Sequence, residues 1–143
     1  MAGPAFEVLG NAIRSRFATE VVAAPGSLIT AARVAYDNAP FTEPPAAAGA
    51  LWCRVSVREG ETDVAELGGT RFRTVGVVMV QLFQPLNEGD ALTRRLGDDI
   101  AAAFRAVTDS AGPVFGSPSY NTVGRSGPWH QANLVLPFYF DQT

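Results

Sequence analysis

Three side chains in the second half of the chain could be drawn as a hydrolase: Ser126, His130 and Asp141. Such a site needs a hydroxyl nucleophile, an imidazole base and a carboxylate that orients the base. The local pattern opposes it. Ser126 lies in Gly124-Arg125-Ser126-Gly127, which lacks the Gly-x-Ser-x-Gly spacing of a nucleophile elbow, and Pro128 stands where the following helix would have to begin. His130 is the single histidine and follows Trp129 at the start of a β run, which suits a surface or interface residue better than a base. The adjacent acids Asp98 and Asp99 fall on a predicted helix, where neighbours diverge by about 100°, so the two cannot hold one ion together. Cys53 is the only cysteine, which excludes an internal disulfide and a multi-cysteine zinc site. In the run Leu51-Trp52-Cys53 it reads as a buried structural thiol. No residue set suggests catalysis, a metal or a bound cofactor.

The remaining chemistry is cationic. All 11 basic residues are arginines, against 14 acids, for a net charge of −3. That balance opposes a broad nucleic-acid-binding face, which needs dense basic charge. Arg54, Arg58, Arg71 and Arg73 lie near the two ends of one predicted hairpin and are expected to cluster, either as a phosphate site or as salt-bridge partners between subunits. The second reading fits the acidic balance better. Glu61, Asp63 and Glu66 fall in the connection of that hairpin and read as a solvated loop, or as negative lining of a channel. Trp52 and Trp129 read as core or interface anchors.

The elements that would position these residues follow from periodicity. Phe6, Leu9, Ile13 and Phe17 recur every three or four residues and predict an amphipathic helix over Ala5–Glu20. Ser27–Tyr36 has room for one strand, over Ala32–Tyr36. Asp37–Gly49 carries three prolines, cannot join a sheet centre, and leaves Phe41 exposed unless something covers it. Leu51–Glu59 alternates as a strand, with Trp52, Arg54, Ser56 and Arg58 on one face and Leu51, Cys53, Val55 and Val57 on the other. Gly60–Thr70 is turn-rich, with Gly68-Gly69 as a hinge.

Arg71–Pro85 is apolar on both faces: Phe72, Val78, Val80 and Leu82 against Val75, Val77, Met79 and Phe83. Such a strand is expected to be central and covered on both sides, by helices on one face and by a second layer or another subunit on the other. Asp90–Val107 is a second amphipathic helix with the stripe Leu92, Leu96, Ile100, Phe104 and Val107. Asn87 or Asp90 can cap it, and Arg94–Asp98 and Arg95–Asp99 are candidate surface pairs. Strands are expected at Val114–Phe115, at Tyr120–Val123 and from Trp129 onward. The fold class is therefore α+β: one domain spanning residues 1–143, a mostly antiparallel sheet with two amphipathic helices packed on one face. No signal-peptide pattern and no run near the length of a membrane span is visible, so a soluble protein made in the cytoplasm is expected.

With these elements in place, the sequence resembles the tail-terminator-like proteins of long-tailed bacteriophages and gene transfer particles. The likeness rests on Trp52-x-Arg54, the Arg73-x-x-Gly76 approach to Val78–Pro85, Gly89 before the helix, Phe104 at its last turn, Gly127-x-Trp129 and the ending Pro137-Phe138-Tyr139-Phe140-Asp141. The resemblance implies a virion structural protein of the tail, without cofactor. It implies a homo-oligomeric ring, usually a hexamer, at the head-proximal end of the tail tube. The implied partners are the tail-tube protein and a head-completion or neck protein. DNA would pass through without specific binding, and no membrane is involved.

Within that reading the expected subunit or tube interface residues are Phe41, Arg54, Arg58, Arg71, Arg73, Val77, Met79 and Trp129. Two alternatives stand beside it. One is another head–tail joining or tail-tube protein. The other, from a different class, is a small-molecule-binding or hydrolytic α+β domain, which would require a concave apolar pocket with converging polar groups.

Overall fold

The computed structural model describes residues 5–45, 51–64, 71–105 and 113–142. Helix α1 (Ala5–Phe17) runs into one π-helical turn, Ala18–Val22, and a short 3₁₀ turn, Ala31–Arg33, leads to β1 (Val34–Tyr36). Then come β2 (Trp52–Val64), β3 (Phe72–Pro85), α2 (Ala91–Arg105), β4 (Val114–Phe115), β5 (Ser119–Ser126) and β6 (Trp129–Gln142). The six strands form one sheet in the order β1-β2-β3-β6, with β4 and β5 both pairing to β6. Every pairing is antiparallel except β1 with β2.

β3 is the central strand, as its two apolar faces require, and it pairs with β6 along its whole length from Phe72↔Gln142 to Pro85↔Trp129. Its even-numbered residues Val78, Val80 and Leu82 are fully buried. They form one cluster with Cys53 and Val55 of β2, Leu134, Leu136, Phe138 and Phe140 of β6, Leu9, Ile13 and Phe17 of α1, and Leu96, Ile100 and Phe104 of α2. Burial of this apolar surface is the main force holding the fold. It also pushes the Cys53 thiol far above its ordinary pKa, since a thiolate could not be solvated there.

Gly76 shows how tightly the sheet is drawn. A Cβ there would lie 2.4 Å from the Arg58 carbonyl oxygen and 2.9 Å from Cζ of Phe138, whose ring covers the gap. Gly76→Ala must move backbone or ring, and should cost about 1–3 kcal/mol. A denaturant midpoint equal to wild type would show that the strands there separate freely.

Several expectations are corrected. The α-helical part of the first helix ends at Phe17 and the π turn completes it to Val22, so the element runs slightly past Glu20. Its stripe begins at Leu9. Phe6 is 59% exposed and outside the main cluster. The expected strand over Ala32–Tyr36 shortens to three residues behind the 3₁₀ turn. β2 extends to Val64 through a bulge between Glu59 and Thr62, so the first part of the Gly60–Thr70 connection is strand. The Gly68-Gly69 hinge, Glu66, Val107 and residues 46–49 of the proline-rich loop lie outside the described residues.

Neither Asn87 nor Asp90 caps α2 with its side chain. Gln84, buried at the end of β3, accepts from the Thr93 backbone N–H at 3.3 Å, and Asp90 instead takes the Arg94 guanidinium at 2.7 Å. Arg94 therefore pairs backward to Asp90 rather than forward to Asp98, and Arg95 and Asp99 form no ion pair.

Candidate functional site

The three side chains that could be drawn as a triad do not come together. His130 and Asp141 stand eleven positions apart on the single strand β6, about 36 Å at ~3.3 Å per residue. Asp141 is engaged elsewhere: Arg73 donates to both of its oxygens, at 2.7 and 2.9 Å. That hydrogen bond holds the Asp141 carboxyl below the usual carboxylate range. The Asp90 carboxyl is lowered in the same way, first by the hydrogen bond from Arg94. Both are solvent-facing ion pairs, the ordinary surface kind.

The grooves are shallow and open. One of about 300 Å³ between α2 and β5 is lined by Arg94, Asp98, Arg105 and Tyr120. Arg94 is tied to Asp90 and lies over the Tyr120 ring, 4.9 Å from its centroid. Among the described residues no three His, Cys, Asp or Glu side chains come together in a way that could hold a metal ion.

The arrangement that stands out is the face of the sheet away from the main cluster, built by the odd-numbered residues of β3 and β6 and, on β2, by the even-numbered residues before the bulge and Asp63 after it. Register divides it into bands. At one end, Trp52, Phe83, Trp129 and Ala35 form a second buried cluster, and Phe41 packs on it. Trp52 is sandwiched, with Phe83 stacked at 4.1 Å and Phe41 at 5.2 Å, and meets Trp129 edge-on. Next lies a polar row, Arg54–Gln81–Asn133–Asn121, in which Gln131 donates to Asn133.

Beyond it is an apolar band. Met79 pairs with Val135, Val77 with Pro137, and Val75 with Tyr139, which also pairs with Val114 of β4. These side chains are half-buried or exposed, Val75 at 48% and Val114 at 43%. The far rim is the charged row Asp63–Arg73–Asp141, where the Arg73 guanidinium lies 4.1 Å from the Tyr139 ring centroid.

The expected interface residues divide accordingly. Val77 and Met79 sit in the band, and Arg54, Arg58 and Arg73 flank it on the same face, with Arg71 exposed just before β3. The arginines do not cluster. Arg54 pairs across from Gln81 and Arg58 from Val77, so they and Arg73 are strung along the strands at intervals of four positions, about 13 Å each. Phe41 is half-buried on Trp52, and Trp129 is only 2% exposed, an anchor of the second cluster rather than a free contact. The sequence reading missed Val75, Val114, Val135, Pro137 and Tyr139. Alternation of the closing strand places Val135, Pro137 and Tyr139 on one face, and only the register with β3 joins them to Val77 and Met79.

Known proteins share this organisation. A family model described as phage tail terminator protein matches residues 9–124. The chain belongs to the phage tail terminator family. The match starts at Leu9, past the first turn of α1, and runs through most of β5, so it includes β3 and the band's residues on it, while the band's β6 residues follow it. Phage tail terminators are a structural, non-enzymatic class. It makes the protein a component of the virion tail. A solved structure aligns over 99% of this chain and 98% of its own length, with a TM-score of 0.63 at 21% identity, which shows a shared fold. No curated protein matches the sequence.

Proposed function

We propose that this tail terminator forms a homo-oligomeric ring, a hexamer, at the head-proximal end of the tail tube. There it ends tube polymerisation and offers the surface that joins tail to head, contacting the tail-tube protein below and a head-completion or neck protein above. DNA passes through the ring without specific binding, and the protein turns over no substrate. In this reading both amphipathic helices shield one face of the sheet and leave the other for assembly. The particle is a phage or a related gene transfer particle.

The observation that carries the proposal is the apolar band of Met79, Val77, Val75, Val135, Pro137 and Tyr139, open to solvent on the free subunit and bounded by polar and charged rows. An apolar centre inside a polar rim is the anatomy of a protein–protein contact. The charges suit a conduit. Arg73 is neutralised by Asp141, and exposed Glu59, Glu61 and Asp63 on β2 would repel rather than grip a phosphate backbone.

Electron microscopy of the purified protein should show closed rings, and a particle lacking the gene should make tails of uncontrolled length. A protein that stays monomeric at every concentration, or a deletion strain with tails of normal length, would overturn the proposal.

A further inference from the structure

A closed ring of identical copies is built from heterologous contacts, in which one patch of each copy meets a different patch of the next. The apolar band is one such patch, and its rim restricts what can cover it. Arg54 and Arg58 flank it on β2, exposed and without an ion-pair partner among the described residues. The opposite flank, Ser119 and Asn121 of β5, is uncharged. A heterologous contact brings a different element onto the band, and these two unpaired arginines favour one that carries a carboxylate. The occupant that fits is apolar and carries an acid.

The chain itself has such an element. On the first turn of α1, Phe6 is 59% and Val8 46% exposed, with exposed Glu7 between them. Positions two apart on a helix stand about 200° apart, so the exposed unit is the helix end, apolar on both flanks with a carboxylate between. From Leu9 onward the helix is anchored, with Leu9, Ile13 and Phe17 fully buried. The first turn contributes little to the subunit's own core. Strand rise and spacing give the band and its rims roughly 500 Å² of footprint, the larger part of the ~800 Å² that each partner gives to a stable contact.

We infer, on the ring reading above, that the first turn of α1 of one copy seats on the apolar band of the next. Phe6 lies against Met79 and Val77, and Glu7, about 100° further round the helix, reaches Arg54 or Arg58. Ring closure then follows from repeating one contact, and every copy is both donor and acceptor.

Two variants test this together. Phe6→Glu/Val8→Glu blocks the helix end and leaves the band intact; Met79→Asp blocks the band and leaves the helix end intact. All three substitutions are at exposed or half-exposed positions, and unchanged denaturant midpoints confirm that both variants fold. Each variant alone should stay monomeric by sedimentation velocity. An equimolar mixture should give a one-to-one heterodimer and nothing larger, because one intact patch of each kind remains. Rings from the Phe6→Glu/Val8→Glu variant, or a mixture that stays monomeric while wild type assembles, overturn this inference and leave the ring reading standing. A wild type that never assembles overturns both.

Discussion

Phe104→Ala should destabilise the subunit by about 3–5 kcal/mol, the cost of removing a buried ring and leaving a cavity that its surroundings only partly fill. Phe104 is 1% exposed on the last turn of α2, meets Phe115 of β4 edge-on at 4.9 Å, and belongs to the cluster that joins both helices to the sheet. Phe115 in turn meets Phe138. The ring therefore ties α2 to β4 and β6, and its loss loosens three elements together. Against a total stability of about 5–15 kcal/mol for a domain of this kind, a loss of that size moves the denaturant midpoint far and leaves part of the protein unfolded at physiological temperature. Asp99→Ala, on the exposed face of the same helix, should change stability by less than about 0.5 kcal/mol. A Phe104→Ala midpoint within error of wild type would mean the stripe of α2 does not hold the core.

Much of this architecture is legible in the sequence because periodicity reports burial directly. Leu96, Ile100 and Phe104 recur at helical spacing and are all buried; Val78, Val80 and Leu82 alternate and are all buried. The parts that escape depend on facts that no local window contains. The cap of α2 comes from Gln84, which the preceding strand places beside Thr93, whereas the nearer Asp90 is taken by an arginine one turn on. Phe6 continues the stripe of α1 yet stays exposed, because the pattern cannot show where the layer beneath the helix stops. The arginines of β2 and β3 are close in predicted topology but spread by register, since cross-strand pairing sets each beside a different neighbour.

The candidate site was half visible for the same reason. Val77 and Met79 could be read as leftover apolar surface on a strand too hydrophobic for one layer of helices. Their companions Val135, Pro137 and Tyr139 become part of the same band only through the pairing of β3 with β6. The strand was expected to be covered on both sides. Among the described residues the second side is covered at its Trp52–Trp129 end and partly exposed beyond it, a division that no local window shows.

Met79→Asp should abolish ring assembly while leaving the subunit folded, and tails made with it should have uncontrolled length. Met79 is partly exposed on the free subunit, so an aspartate there keeps some of its water and costs the monomer less than it costs an assembled contact. In an assembled contact the same carboxylate is desolvated without a partner, at a cost of several kcal/mol. At tenfold in affinity per ~1.4 kcal/mol, a loss of that size weakens each contact of a ring roughly a hundredfold or more.

Position matters within the band. Val77 lies directly across from Arg58, close enough for an aspartate there to find a cation, so Val77→Asp should weaken assembly less. Met79 lies across from Ser56 and Val135 and meets Arg54 and Arg58 only on the diagonal, a longer reach than Val77 has to Arg58. The ordering of the two variants thus separates a desolvated contact from a general intolerance of charge on this face. Equal assembly by Met79→Asp and wild type, scored by electron microscopy and sedimentation, would remove this band from the interface. An effect of Val77→Asp larger than that of Met79→Asp would show that Arg58 is already engaged across the contact, where a new carboxylate would pull it from its partner.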